Sequence, residues 1–174
     1  RIWGDGRCIR AACEHGNGIL SRYPLGNVRL IRHRVNKSWY NPVLAALRIG
    51  QPRLGGRMAI SADIKVGDKY LHVYSLHFES RGNGAYRRAQ AVELAEDGLT
   101  KPFNVVIGGD TNAGLYLSHL RRGAGDDPTT QAFFERGYVD AHAGLAPVER
   151  ITAPPDGVID LILHYAHNES FQIP

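Results

Sequence analysis

Residues 58–77 constrain this chain more than any other stretch. Two runs that alternate apolar and polar residues are separated by Gly67-Asp68, a two-residue loop of the kind that favours a primed turn, so the segment predicts a β-hairpin. Register follows from the loop. With Val66 opposite Lys69, Ile64 meets Leu71, Ala62 meets Val73, Ile60 meets Ser75 and Met58 meets His77. One face is therefore apolar until it ends in Ser75 and His77, so a polar pair closes a hydrophobic strand.

The neighbouring segments supply the rest of a mixed fold. Residues 103–107 form a nearly continuous apolar run, the pattern of a buried central strand, leading straight into Gly108-Gly109-Asp110-Thr111-Asn112. A carboxylate and an amide are thus expected at the strand's C-terminal mouth, where loops supply site residues. Helical spacing over residues 85–97, closed by Gly98, predicts one helix, and Asp126-Asp127-Pro128 opens a second over 129–136. Strands are expected at 18–23, 28–35, 138–141 and 158–163, with a surface connection over 144–157. In the last of these strands Asp160 shares a face with Val158 and Ile162, a placement that asks for a partner to offset desolvation.

Composition narrows the function classes. The 174 residues and 19.2 kDa suit one domain, and 43% hydrophobic with 22% charged residues is ordinary for a globular protein. No apolar run reaches the eighteen or so residues of a membrane helix. Lys plus Arg exceed Asp plus Glu by 21 − 17 = 4, and the pI near 9.2 favours polyanionic partners. Cys8, Cys13 and His15 form C-x4-C-x-H without a fourth ligand of matching spacing, so they read as ordinary strand residues. The chain contains neither a phosphate-binding G-x-x-x-x-G-K-[ST] nor a G-x-S-x-G nucleophile elbow. Arg1 in place of an initiator Met suggests a processed or cut start.

Taken in order, Gly16-Asn17-Gly18, Ser75-Leu76-His77-Phe78, Arg88-Ala89-Gln90, Gly109-Asp110-Thr111-Asn112 and Ile159-Asp160-Leu161 resemble the motifs of the endonuclease/exonuclease/phosphatase superfamily. These are metal-dependent phosphodiesterases related to pancreatic deoxyribonuclease and abasic-site endonucleases. The resemblance runs from Gly16 to about His164. It implies an α+β fold of two packed mixed β-sheets flanked by helices, a four-layer sandwich, present here in incomplete form as a single partial domain over residues 1–174. It also implies that His77, Asp110, Asn112 and Asp160 are catalytic, that Asp110 and Asn112 bind Mg²⁺ or Mn²⁺, and that Asp160 stabilises a catalytic histidine near the C-terminus.

The residue types suit phosphodiester hydrolysis, which needs an activated water, a neutralised phosphoryl oxygen and a stabilised leaving alkoxide. Asp110 would position or deprotonate the water, while His77 and Asn112 stabilise the scissile phosphate. Arg22, Arg81 and Arg88 would bind the substrate, a nucleic acid or another phosphodiester. Two family features are missing: a metal-binding Glu on an early strand and a terminal S-D-H motif. Their absence leaves Asp160 without its histidine, and His164 and His167 follow too soon to replace it. A phosphatase or phospholipase-like member and a non-catalytic binding domain are the alternatives; Ala113-Gly114-Leu115 after Asn112 disfavours the inositol-phosphatase branch.

Overall fold

A computed structural model of the chain describes residues 2–3, 16–36, 43, 56–79, 84–116, 127–150, 152 and 157–167. Cys8, Cys13, His15 and Arg81 lie outside the described residues. The ordered elements are β1 (Ile2–Trp3), β2 (Gly18–Ile19), β3 (Leu25–Arg32), β4 (Met58–Val66), β5 (Lys69–His77), α1 (Gly84–Leu99), β6 (Asn104–Tyr116), α2 (Pro128–Phe134), β7 (Val139–Asp140), a 3₁₀ turn (Pro147–Arg150) and β8 (Gly157–Tyr165). Six strands form one mixed sheet in the order β3-β4-β5-β6-β8-β7, and β1 and β2 form a separate antiparallel pair. With two helices on this sheet, the described residues build an α/β sandwich of the partial kind expected.

The hairpin forms in the expected register, with Val66 opposite Lys69, Ile64 opposite Leu71, Ala62 opposite Val73 and Ile60 opposite Ser75. Gly67 has φ 60°, the value that a type II′ turn demands of its first central residue and that glycine reaches without strain. β6 is central as expected. It pairs parallel with β5 and antiparallel with β8, and its Val105 and Ile107 are fully buried while Val106 on the opposite face is only half-buried.

The difference between the sheet's faces comes from the helices. Tyr74, Leu76, Phe78, Val105, Ile107, Leu161 and Leu163 pack with Leu94 and Ala95 of α1 and Phe133 of α2 into one core. Phe78 stacks on Phe133 with ring centroids 6.3 Å apart, and burying each such side chain contributes roughly 1.5–3 kcal/mol. α2 starts where its sequence says: the Asp127 carboxylate accepts the Thr129 N–H at 2.8 Å, and Pro128 occupies the first turn.

Four boundaries differ from expectation. β6 does not end before Asp110 but runs on through the bulge to Tyr116, so Asp110 and Asn112 lie within the strand. β2 covers only two residues, because Pro24 and the bends at Arg22 and Tyr23 break the run, and β3 starts earlier, at Leu25. Gly98 does not end α1 but lies inside it, where a Cβ would overlap the Tyr138 hydroxyl that donates to Ala95 O at 3.1 Å. Asp160 does not stand on a buried strand face. Leu161 and Leu163 point into the core, whereas Ile162 on the face of Asp160 is 42% exposed, so the aspartate is half-buried on the side away from the helices.

Candidate active site

Strand pairing builds the site. His77 at the end of β5 lies directly opposite Asp110 on β6, and Asp110 lies directly opposite Asp160 on β8. Residues paired across neighbouring strands share a face, so one imidazole and two carboxylates form a row across three strands, on the face the helices leave open. His77 Nε2 is 3.3 Å from Asp110 Oδ2, and both side chains are about one-quarter exposed. The row is reachable from solvent, unlike the core beside it.

Backbone geometry at the mouth is specialised. Gly109 has φ 137°, and a Cβ there would overlap the Leu76 carbonyl, so only glycine lets β6 approach β5 this closely just before Asp110. After Asp110 the ladder to β8 shifts, resuming at Leu115, a bulge of the sort that re-aims side chains. Asn112 occupies the bulge with φ 46°, a left-handed conformation that asparagine tolerates better than most residues. Its N–H donates to Asp110 Oδ1 at 2.8 Å, and its side-chain Nδ2 donates to Phe78 O at 2.9 Å. Phe78 N–H in turn donates to Asp110 O at 2.9 Å. Asp110 and Asn112 are thus tied to the chain that follows His77.

Beside the row lies a polar support of which the sequence singled out only Gln90, through its motif. Gln90 of α1 is fully buried; its Oε1 accepts the Glu79 N–H at 3.1 Å and its Nε2 donates to Val35 O at 2.9 Å. Asn36 Oδ1 accepts the Arg57 N–H at 2.7 Å. Arg57 Nε lies 3.9 Å from Glu79 Oε1, with both side chains nearly enclosed. The signal was present: the register that sets Met58 against His77 sets Arg57 against Phe78, next to Glu79. Asn17, in the Gly-Asn-Gly turn, donates through Nδ2 to Met58 O and to Ser75 O at 3.3 Å, fastening β2 onto β4 and β5.

Electrostatics favour a protonatable carboxylate in this place. Burial raises the Asp110 pKa above the ordinary carboxylate value, while the Asn112 N–H and the positive charge of Arg57 pull it back. Asp160 is fixed through its backbone, whose N–H donates to Thr152 Oγ1 at 3.0 Å. The other expected residues stand apart. Arg22 is exposed on the bend after β2, and Arg88 extends from α1 to Glu135 at 3.0 Å. His164 and His167 are exposed at the end of β8.

Oxygen donors dominate the mouth: the Asp110 and Asp160 carboxylates and Asn112 Oδ1, left as an acceptor once Nδ2 serves Phe78. Among the described residues no three His, Cys, Asp or Glu side chains are grouped closely enough to enclose an ion. Magnesium does not require such a cage, since it is commonly held by one or two carboxylates together with water and substrate phosphate. The donor set therefore fits a hard divalent cation.

No protein-family model and no curated protein matches this sequence. Solved structures do. The human Nocturnin catalytic domain with bound sulfate anion superposes with a TM-score of 0.55 at 15% identity, covering 82% of this chain and 48% of that one. D. rerio TDP2 complexed with single strand DNA product gives 0.54 at 16% identity, covering 83% and 54%. An endonuclease/exonuclease/phosphatase from Beutenbergia cavernae DSM 12333 gives 0.51 at 16% identity, covering 83% and 38%. The chain spans about half or less of the length of these structures, and its fold is that of endonuclease/exonuclease/phosphatase proteins.

Proposed function

We propose that this chain carries part of a divalent-metal-dependent phosphodiester hydrolase of the nuclease type. The observation that carries the reading is the row His77, Asp110, Asp160 across three adjacent strands, with Asn112 held in the bulge beside it. Structures with this fold include one crystallised with a sulfate anion and one with a single-stranded DNA product, and a basic chain suits a phosphate-bearing substrate.

In the proposed mechanism Asp110 and Asn112 would hold Mg²⁺ or Mn²⁺. When bound, the ion supplies charge neutralisation at the phosphoryl oxygens and acidifies coordinated water. Asp110 would position the attacking water and take its proton. His77 donates a hydrogen bond to the phosphoryl oxygens, an interaction that strengthens as charge develops there. The Asp110 contact orients its ring, and Arg57 adds a fixed positive charge behind the site. Asp160 stands opposite Asp110 on β8, where it would steady a catalytic histidine of the kind the resemblance implies. Arg81 would contact a flanking phosphate.

Hydrolysis of bis(p-nitrophenyl) phosphate by the longest natural form of the protein, with Mg²⁺ or Mn²⁺ and with EDTA, tests this reading. We expect metal-dependent turnover that falls by about 10³ in Asp110→Asn, within the usual range for loss of a general base. Full activity of Asp110→Asn, or turnover indifferent to EDTA, would remove Asp110 from the proposed role.

A further inference from the structure

At the opposite end of the strands from His77, aromatic rings and lysines are gathered at the surface. Tyr70 at the start of β5 lies nearly parallel to Phe103, which precedes β6; their ring centroids are 5.1 Å apart with an interplanar angle of 22°. Lys65, directly across the hairpin from Tyr70, holds Nζ 5.7 Å from the Tyr70 ring centroid. Phe103 and Lys65 both lie against the Tyr70 ring, and Tyr70 is still 42% exposed. Lys69, its neighbour along the strand, is exposed toward the opposite face of the sheet, and Lys101, paired with Asp97, stands just before Phe103.

The row continues along the sheet's end. Asn104, next to Phe103, accepts the His167 N–H through Oδ1 at 2.8 Å, and the His167 ring meets Tyr165 edge to face at 4.7 Å. Charge at this pole is positive on balance. Arg29, Lys65, Lys69 and Lys101 stand against Asp63, Asp68 and Asp97, and Asp97 alone carries both Arg29 at 3.0 Å and Lys101 at 3.2 Å. None of these rings belongs to the candidate active site, which lies seven residues further along β5, roughly 23 Å away at about 3.3 Å per strand residue.

We propose that this aromatic and lysine row is a second binding surface, for single-stranded nucleic acid, on which unpaired bases extend the Tyr70–Phe103 stack while the lysines track the phosphates. Exposed aromatic rings flanked by cations are what sequence-independent single-strand binding uses: every base has a π-face, and the backbone supplies uniform negative charge. A duplex keeps its bases stacked on one another and has none to offer the rings. The inference shares with the proposed function only the choice of a nucleic acid as ligand, and it requires no hydrolysis.

Fluorescence anisotropy with a fluorescein-labelled oligothymidine in EDTA tests the surface, using the Asp110→Asn background to exclude cleavage. Tyr70→Ala is expected to weaken binding about tenfold, Tyr70→Phe to retain it, and Lys65→Ala to weaken it two- to threefold at about 0.1 M salt while lowering the salt slope by about one. Arg136→Ala, which removes the same charge from the turn after α2, serves as the control and is expected to bind as the parent does. The inference is overturned if Tyr70→Ala binds unchanged, if Arg136→Ala weakens binding as much as Lys65→Ala, or if a duplex of the same length shows the same Tyr70 dependence. A Tyr70-dependent signal in a protein without hydrolytic activity would sink the proposed function and leave this surface standing.

Discussion

β5 carries two histidine–aspartate pairs five residues apart, and they behave as opposites. His72 Nδ1 bonds Asp63 Oδ1 on β4, and Asn27, from a bulge in β3 with φ 45°, donates to the other Asp63 oxygen at 2.7 Å. This pair is buried beneath the helices beside Tyr74, whose hydroxyl donates to Asp97 at 2.6 Å. It links three strands and faces no solvent. His77 and Asp110 sit one step to the other side of the pleat, partly exposed, next to a bulge and a glycine in an unusual conformation. The same two side chains therefore serve cohesion in one place and are available for chemistry in the other, and face parity along the strand decides which.

Substitution of each histidine separates the roles most sharply. His72→Ala strands a buried carboxylate and is expected to cost about 3 kcal/mol of stability, measured by urea denaturation, with activity of the remaining folded protein unchanged. His77→Ala should cost less than about 1 kcal/mol while lowering phosphodiesterase turnover about a hundredfold. Equal stability losses, or equal activity losses, would erase the contrast.

Acid should act on the buried pair first. Burial lowers the pKa of His72 despite Asp63 and Asp97, with Lys101 adding to the lowering, and burial likewise lowers His33 despite its 2.8 Å contact with Glu93. Arg34 and Phe78 also neighbour His33, and Tyr74 and Arg29 belong to the cluster around His72. Below the ordinary histidine value near 6.5 the unfolded chain binds protons that the folded chain refuses, so stability is full above that pH and declines as pH falls through it. We expect a loss of about 1 kcal/mol per histidine for each pH unit below 6.5 until the folded pKa is reached, and His72→Phe should remove its share of the slope. A flat stability profile between pH 7.5 and 5.5 would contradict the buried neutral state of both rings. The smallest effect belongs to Arg88. Its ion pair with Glu135 is exposed on both sides, so Arg88→Ala should change stability by less than about 1 kcal/mol, and turnover would fall only if Arg88 also met substrate.

Much of this was legible in the sequence because local rules governed it. The Gly67-Asp68 loop fixed the hairpin register, and that register carried His77 to the row; the apolar run into Gly109-Asp110 marked β6 and its mouth. The row itself depended on pairing across β6 and β8, which are separated in sequence by α2 and β7, and only the motif resemblance had linked Asp110 with Asp160. The support under the site was harder to read. Arg57, Glu79 and Gln90 carry no periodic signature, and a glutamate enclosed beside an arginine looks in sequence like any solvated charge. His72 and His77 were likewise equivalent as letters; the helices, which cover one face only, made them different.

Mn²⁺-induced line broadening in the NMR spectrum of the chain tests the central claim directly, because it reports where a divalent ion settles without requiring turnover. We predict that signals of His77, Asp110, Asn112 and Asp160 broaden at substoichiometric Mn²⁺ and recover with excess Mg²⁺, while those of Asp63 and His72 remain sharp. Broadening centred on the Asp63–His72 pair, or none at the strand mouth at millimolar Mn²⁺, would contradict the account.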